Sequence, residues 1–576
     1  MVHGWGWKGA NRDREMGEAV FSGRLQEEPP TFASRGLGAR VMTVYLFSLK
    51  GCTRTGPLSS MRFLPFFATT AALAALTFAQ EKPEEPQKEN KDKPAADAEK
   101  KKAEEKTKEE KPKESKGAVT INGVEVNYLA KTGTLPLLKD DGSGERARVF
   151  FVYYAALGAD GLPLAQTQPG KRPITYCFNG GPGSSAVWLH YGGLGPKKVE
   201  VEPQGLLPTI RGAVVANPNS VLDMTDLVFI DPVGTGASRP SRGEKPEQFW
   251  TVKQDIESVG EFIRFFTTRE QRWASPKYLC GESYGGIRGS GLANLLQDKH
   301  GLYLDGFISI SGVVNFEALA GSVLSFVTFL PSFTATAHYH QKLPADLQAD
   351  RAKAIAASRA FAQGAYARAL IAGTDLPALE RITVIDQLAR FTGLEKELID
   401  RANLRISPYL FFENLLRKEG KIVGRFDGRV TAEDYDRLRT SPEFDPSYTN
   451  IYGAFSAAAN ASMRGDLGYE FDLPYRILGG VQWSWNDFAN SYVNMEDDLA
   501  GAMKDNPRFR VLFCLGYRDL AVPMDSTLYS IAHLPIPESL RRNISVEYYD
   551  SGHMMYLYQP DAEKLRKDIA GFIGKP

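Results

Sequence analysis

Cysteine is scarce in this sequence, with 4 among 576 residues. Cys177, Cys280 and Cys514 each end a short apolar run, and none has the closely spaced partner that metal sites use. A disulfide framework and a metal site are therefore disfavoured. We expect three buried thiols that pack as small apolar side chains, and we expect neither a metal nor a cofactor.

An excess of charge of either sign is also missing. Lys and Arg together number 69, as do Asp and Glu, so the formal net charge is zero. No general electrostatic attraction then draws the chain to nucleic acid or to an anionic membrane, and we predict no nucleic-acid partner. The sequence contains no internal repeat and leaves the oligomeric state open.

The only segment that resembles a targeting signal is residues 61–79. It has a positive start, a short apolar run and the small residues Thr77 and Ala79 before Gln80, which predicts a secretory signal peptide cleaved after Ala79. A buried apolar helix is the alternative. The run is too short to favour a permanent membrane span, so we expect a secreted or periplasmic protein. A signal belongs at an amino terminus, so residues 1–60 are interpreted as a disordered, non-native extension.

Residues 80–116 lack the apolar side chains that a core needs. They are mostly Lys, Glu, Asp, Pro and Ala. Such a composition cannot bury enough surface to fold, and it predicts a disordered charged linker.

From residue 117 onward the sequence alternates between strand and helix patterns. An Asn-Gly pair at 122–123 predicts a hairpin. Short apolar runs predict further strands at 148–156, 174–178, 227–230, 278–280, 307–310, 511–515 and 544–549. Helical patterns at 254–267 and 285–297 lie between several of them. This alternation predicts a doubly wound α/β fold with a mostly parallel sheet.

Residues 317–495 interrupt this alternation with long helix-prone stretches. We interpret them as a largely helical cap insertion over the carboxyl edge of the sheet, where sites of this class lie. The α/β core then comprises residues 117–316 and 496–576. A separate carboxyl-side domain is the alternative, but strand patterns resume near residue 510.

A serine lies between small residues at 281–285, where a strand pattern gives way to a helical one. This Gly-Glu-Ser-Tyr-Gly sequence is typical of a nucleophile elbow, a sharp turn that exposes the Ser283 hydroxyl. The small neighbours are needed because the turn strains the backbone.

A serine hydroxyl needs a base, and His553 is the best-placed histidine downstream of Ser283. It follows a predicted strand and precedes the last helix. His533 has ordinary turn residues around it and is interpreted as structural. His338 and His340 could suggest a metal, but no third ligand accompanies them.

The base needs an acid to orient it, and Asp519 follows the predicted strand at 511–515. Asp525 is the nearest rival. Asp550 is too close to His553 in sequence to face its ring. Asp519 could alternatively cap a turn.

The glycine-rich loop at 179–185 also follows a predicted strand, and it supplies the bare backbone N–H groups that an oxyanion hole needs. It lacks the Lys-Ser/Thr that completes a phosphate loop. A plain turn is the alternative.

The motifs at 179–185, 229–236 and 281–286, with the Asp519 and His553 loops, resemble those of the serine carboxypeptidase family, peptidase family S10. The resemblance runs from about residue 117 to the carboxyl end. It implies an α/β-hydrolase fold. It also implies Ser283 as nucleophile, His553 as base and Asp519 as the residue that orients the base.

The same resemblance implies two binding functions. The oxyanion donors fall on the amides of Gly181 and Tyr284. Recognition of a peptide's terminal carboxylate falls on Asn179, Gly180 and Glu282.

Glu282 can hydrogen-bond a substrate carboxylate only when it is protonated, because two bare carboxylates in contact repel. Carboxylate binding should therefore improve in acid. The family's second glutamate falls on Gly193 here, which predicts a weaker acid preference. Ser184 stands where many relatives have a disulfide-bonded cysteine, which suggests a bacterial-type branch stabilised by packing alone.

The leading hypothesis is a secreted serine carboxypeptidase that acts on peptides through an acyl-enzyme. An esterase or acyltransferase with the same triad is the first alternative, and a non-catalytic binding protein is the second. Trp483, Trp485 and Tyr492 could line a pocket or belong to the core.

Overall fold

The structure, a computed structural model, describes residues 111–209, 211–436, 438 and 443–574. The predicted extension (1–60), the signal peptide (61–79) and the linker up to residue 110 lie outside the described residues.

The described residues form strands and helices in alternation over much of their length. The strands are β1 Lys113–Ile121, β2 Val124–Leu138, β3 Glu145–Ala156, β4 Ile174–Phe178, β5 Lys197–Val199, β6 Val214–Ala216, β7 Asp226–Ile230, β8 Arg239–Pro240, β9 Lys277–Glu282, β10 Gly306–Ile310, β11 Lys421–Val423, β12 Thr431–Glu433, β13 Arg510–Gly516 and β14 Ile544–Tyr549. The helices are α1 Leu164–Thr167, α2 Val252–Arg269, α3 Gly285–His300, α4 Val323–Tyr339, α5 Ala345–Gln348, α6 Arg351–Phe361, α7 Ala367–Ala372, α8 Ala378–Thr392, α9 Lys396–Arg401, α10 Pro408–Asn414, α11 Pro446–Arg464, α12 Glu496–Asp505, α13 Met524–His533, α14 Glu538–Arg541 and α15 Gln559–Gly574. Single π-helical turns occur at Leu189–Leu194 and Ala362–Tyr366, and 3₁₀ turns at Pro246–Phe249, Phe316–Ala318, Gly373–Asp375, Arg417–Glu419, Asn486–Phe488 and Met555–Leu557.

One large sheet organises the fold, with the strand order β1-β2-β3-β7-β4-β9-β10-β13-β14 and β8 paired to β3. The strands from β7 to β14 in this order run parallel, and β1 to β3 form an antiparallel edge. All five residues of β4 are buried, as expected for a strand covered on both faces.

The antiparallel edge corrects the predicted end of the linker. β1 begins at Lys113, inside that linker, and residues 113–116 pair with residues 129–132 of β2. Its charged side chains are tolerated because an edge strand exposes them to water. The turn to β2 has Asn122 and Gly123 at positive φ, as the predicted Asn-Gly hairpin requires.

Two apolar layers cover the sheet. Along β9, Leu279 faces a cluster built with α2, α3 and α12, whereas Tyr278 and Cys280 face a second cluster with α11 and α15. Alternate residues of a strand point to opposite faces, so helices lie on both sides of the sheet. The fold is the α/β-hydrolase fold, as predicted.

Residues 317–495, hereafter the insertion, lie between β10 and β13. They contain α4 to α11 and the short strands β11 and β12. A third apolar cluster lies mostly within them, with the Phe333 and Phe411 rings stacked at 4.2 Å.

The cysteines of the described residues are as predicted: Cys177, Cys280 and Cys514 are free and buried. Within the same part of the chain, every helix is too short or too polar to span a bilayer.

Candidate active site

Ser283 occupies the strained turn that the elbow pattern predicts, between β9 and α3. Its φ is +62°, a conformation that costs free energy for a residue with a side chain. Glycines surround it because there is no room for a Cβ. At Gly281 a Cβ would lie 2.4 Å from the carbonyl oxygen of Gly285, and at Gly286 it would lie 2.3 Å from that of Val313.

His553 and Asp519 meet in the loops that follow β14 and β13. His553 Nδ1 lies 2.7 Å from Asp519 Oδ2, and both side chains are buried. The amides of Ala521 and Val522 each donate to Asp519 Oδ1 at 2.8 Å, which fixes the carboxylate. The ionised carboxylate accepts, so Nδ1 carries the proton and Nε2 is left as the basic nitrogen.

The electrostatics of the pair suit a general base. Burial lowers the pKa of His553, but the charge of Asp519 and the hydrogen bond to it outweigh burial, so the pKa is raised above its ordinary value. The imidazolium formed when His553 accepts a proton is thereby stabilised.

Ser283 and His553 are anchored on consecutive residues at the carboxyl end of β10. The amide of Ser283 donates to the carbonyl of Ile310 at 3.1 Å. The Ser311 hydroxyl donates to the carbonyl of His553 at 2.9 Å. The three side chains of the predicted triad therefore come from loops on neighbouring parallel strands, at the edge where active sites of this class lie.

The rival acids have other partners. Asp525 pairs with Arg359, and Asp550 pairs with Arg351. Neither has a hydrogen bond to His553.

The rival histidines have structural contacts as well. His533 Nδ1 lies 2.8 Å from the carbonyl of Tyr529, and the rings of His338 and His340 contact the carbonyls of Gln348 and Gly428. No cluster of three His, Cys, Asp or Glu side chains suited to a metal occurs among the described residues.

The glycine-rich loop lies directly against the elbow. A Cβ at Gly180 would lie 2.4 Å from the amide nitrogen of Tyr284, so the two backbones approach as closely as glycine allows. Gly181 has φ +103°. Within the described residues, the amides of Gly181 and Tyr284 donate to no protein acceptor. Two free N–H groups, one in the glycine-rich loop and one at the start of α3, can stabilise an oxyanion.

Asn179 is the first residue of this loop, Glu282 directly precedes Ser283, and both side chains are buried. Burial raises the pKa of Glu282 to about 7, although Gly193 supplies no second carboxylate. The Asn179 amide has one orientation because its Oδ1 accepts from the Leu189 amide at 3.1 Å. Its Nδ2 is buried and faces the Glu282 carboxyl, where hydrogen bonding from Asn179 lowers the pKa that burial raises. A neutral acid and a buried amide donor beside it can together bind a carboxylate.

Sequence reasoning missed Tyr556, which lies three residues after His553 in the same loop. Its hydroxyl donates to Glu282 Oε2 at 2.7 Å. Its ring packs against Gly192 and Gly193. The sequence shows that residue 193 has no side chain. It does not show that the Tyr556 ring fills the space.

Phe426, in the insertion, was also missed. Its ring stacks on the His553 imidazole with centroids 5.1 Å apart, and its carbonyl accepts from the His553 amide at 2.6 Å. No local pattern in the sequence marks this residue.

A buried ion pair contacts the glycine-rich loop at the carbonyl of Asn179. Arg288, on α3, is fully buried and binds the Asp255 carboxylate through Nε at 2.8 Å and Nη2 at 3.1 Å. Its Nη1 donates to the carbonyl of Asn179, and its guanidinium lies 5.3 Å from the centre of the Tyr284 ring.

A segment near the end of the insertion pairs with the same loop. The amide of Ser185 donates to the carbonyl of Ile477 at 3.0 Å, and that of Gly479 donates to the carbonyl of Gly183 at 3.1 Å. Further along the segment, the Trp483 ring packs edge-on against the Tyr284 ring at 5.4 Å.

The other two aromatic residues considered as pocket-lining have different surroundings. Trp485 joins the cluster at 5.9 Å from Trp483, whereas Tyr492 donates to the carbonyl of Gly321.

Comparison with known proteins identifies related sequences. The family model described as serine carboxypeptidase (Peptidase_S10) matches residues 145–559. Serine carboxypeptidase-like 20 of Arabidopsis thaliana is 26% identical over 163 residues, which cover 26% of this chain and 31% of that protein. Serine carboxypeptidase-like 33 of the same plant is 26% identical over 171 residues, covering 29% of this chain and 32% of that protein. The chain thus matches less than a third of the length of either relative.

Among solved structures, the peroxisomal alpha-beta-hydrolase Lpx1 of Saccharomyces cerevisiae is 11% identical with a TM-score of 0.31, covering 81% of this chain and 91% of that one.

Proposed function

The chain belongs to the serine carboxypeptidase family, and from that premise we propose that it removes single residues from the carboxyl ends of peptides through an acyl-enzyme formed on Ser283. In this mechanism His553 takes the proton of the Ser283 hydroxyl as the oxygen attacks the carbonyl carbon of the last peptide bond. It then returns the proton to the leaving amine. Asp519 holds the imidazole in the tautomer that leaves Nε2 free.

The negative charge that forms on the carbonyl oxygen needs donors already in place. The amides of Gly181 and Tyr284 fit this role, because neither donates to another protein group among the described residues. Removing one such donor typically costs about 100- to 1000-fold in rate. Water then hydrolyses the acyl-enzyme by the same steps in reverse.

The observation that carries the peptidase assignment is the pair formed by Asn179 and Glu282. The buried Asn179 amide is close enough to Glu282 to lower the pKa of that carboxyl by hydrogen bonding, so a substrate carboxylate at this place can accept from both side chains. Glu282, with its pKa at about 7, supplies a proton to the same carboxylate at neutral and acid pH. At Gly180 the backbone lies close to the elbow and completes the proposed carboxylate-binding site.

The experiment compares two synthetic peptides of identical sequence, one with a free carboxyl end and one amidated. Mass spectrometry follows the loss of residues with time at pH 6. We expect stepwise loss from the free peptide and a much slower reaction of the amidated one. Equal rates, or turnover of simple esters alone, would contradict the carboxypeptidase proposal and favour an esterase or acyltransferase.

Fluorophosphonate labelling tests the nucleophile separately. We expect labelling of the native chain, and none of the Ser283→Ala variant. Ser290→Ala is the matched control, because Ser290 is a buried serine on the helix that follows the elbow. Absence of labelling in the folded native chain would favour a binding protein that lacks catalysis.

We also propose that the chain is exported, on the basis of the charged start, apolar run and small residues at 61–79. Mass spectrometry of the protein recovered from the culture medium or periplasm tests this. An amino terminus at Gln80 is expected, and a mature protein that retains residues 61–79 would contradict it.

A further inference from the structure

We propose that Tyr556 is a positioning residue for carboxylate recognition: its hydroxyl holds the Glu282 side chain in the orientation that binds the carboxyl end of a peptide. The inference rests on the proposed function. Tyr556 and Glu282 are 4% and 2% exposed, and the hydroxyl donates to Oε2 at 2.7 Å. Water cannot replace this donor freely, so Tyr556 determines which Glu282 oxygen is left for substrate.

The ring of Tyr556 packs against Gly192 and Gly193, whose lack of side chains leaves room for it. A Cβ at Gly192 would lie 2.4 Å from Tyr556 Cε2, and one at Gly193 would lie 3.2 Å from its Cγ. Both glycines belong to the π-helical turn Leu189–Leu194. The ring therefore takes the space that any larger residue at 192 or 193 would need, and the hydroxyl has one available direction.

The Tyr556 hydroxyl shifts the pKa of Glu282 in the opposite direction to a second carboxylate. A carboxylate at this place would repel the ionised form of Glu282, whereas the Tyr556 hydroxyl donates to that form and favours it. Tyr556 thus opposes the effect of burial on the pKa of Glu282.

The other groups that face Glu282 come from several elements. His553 favours the ionised form, Asp519 opposes it, and Cys280 is a buried neutral thiol on the same strand. The Asn179 amide hydrogen-bonds to the carboxyl group and favours its ionised form. None of these changes when the Tyr556 hydroxyl is removed.

The test is Tyr556→Phe, which keeps the ring and removes only the hydroxyl. KM for a free-carboxyl peptide is measured from pH 5 to pH 9 and divided by KM for an ester substrate that lacks the carboxylate. Loss of one donor to the ionised form should move the midpoint of this ratio upward by about 0.5 to 1 pH unit. Loss of orientation should also raise the ratio at pH 5, where Glu282 is protonated in both proteins.

Tyr549→Phe is the matched control. Tyr549 is also a buried tyrosine, and its hydroxyl donates to a carboxylate oxygen, Asp568 Oδ2, at 2.6 Å. We expect this variant to leave the midpoint unchanged. A general loss of stability would lower activity in both variants at every pH without moving a midpoint.

The Glu282→Gln/Tyr556→Phe double variant provides a second measurement. Glutamine does not titrate, so adding Tyr556→Phe to Glu282→Gln should move no midpoint. An unmoved midpoint in Tyr556→Phe alone, while the native protein shows a pH-dependent ratio, would overturn the positioning role. If the native protein does not distinguish the free peptide from its amide, the proposed function fails instead.

Discussion

Replacing Arg288 with methionine tests the buried ion pair beneath the glycine-rich loop. The substitution leaves the Asp255 carboxylate without its partner in a site where burial already raises the pKa. We expect Asp255 in the folded variant to take up a proton rather than remain charged. This proton uptake lowers the free energy of unfolding by about 1.4 kcal/mol for each pH unit between the unfolded pKa of about 3.9 and pH 7. The total loss at pH 7 is about 4 kcal/mol. That figure agrees with the loss of about 3 to 5 kcal/mol typical of a broken buried pair.

The sign of the pH dependence follows from the proton count. Between pH 5 and pH 7 the folded variant holds a proton that the unfolded chain has released, so its unfolding free energy falls as pH rises. Relative to the native protein, the deficit should widen by about 1.4 kcal/mol per pH unit. Urea denaturation followed by tryptophan fluorescence at pH 5, 6 and 7 measures it.

The control is the Asp255→Leu/Arg288→Met double variant, which contains neither charge. We expect it to recover most of the lost stability, with a deficit that does not change with pH. It should still react more slowly with a fluorophosphonate, because Asn179 has lost its donor. A deficit below about 1 kcal/mol at pH 7 in the single variant, or one that is constant with pH, would refute the reasoning.

Three further predictions concern the site. Glu282→Gln should make KM for a free-carboxyl peptide independent of pH, whereas the native KM should rise about tenfold per pH unit above 7; a native KM that is flat from pH 6 to pH 9 contradicts this. Asp519→Asn should lower kcat about 10⁴-fold with an unchanged circular dichroism spectrum, because His553 loses its orienting carboxylate. Gly180→Ala should abolish peptidase activity and cost about 1 to 3 kcal/mol in urea denaturation, since its Cβ would lie 2.4 Å from the Tyr284 nitrogen; native-like kcat would disprove the close approach.

The sequence predicts those parts of the fold that local patterns encode. Apolar runs predict β4 and β13 because a strand covered on both faces must be apolar throughout. The elbow is predictable because only small neighbours tolerate the backbone of Ser283. His553 and Asp519 follow from their places after strands.

The contacts that tune the site have no such local pattern. Glu282 and Tyr556 are 274 positions apart, and Asp255 and Arg288 are 33 apart on different helices. Gly193 alone suggests a weaker acid preference, but burial of Glu282 depends on the packing of the whole loop. Long-range packing of this kind is decided by the tertiary fold, so a single sequence does not reveal it.

The contact between Phe426 and His553 has a consequence for how substrate reaches the site. One backbone hydrogen bond and one ring stack join the segment between β11 and β12 to the base itself. A hinged lid that swung away with this segment would dislodge the imidazole at every turnover. We therefore expect this segment to stay in place during turnover. Peptides then enter through an opening of constant width, and the size of that opening limits which substrates are accepted.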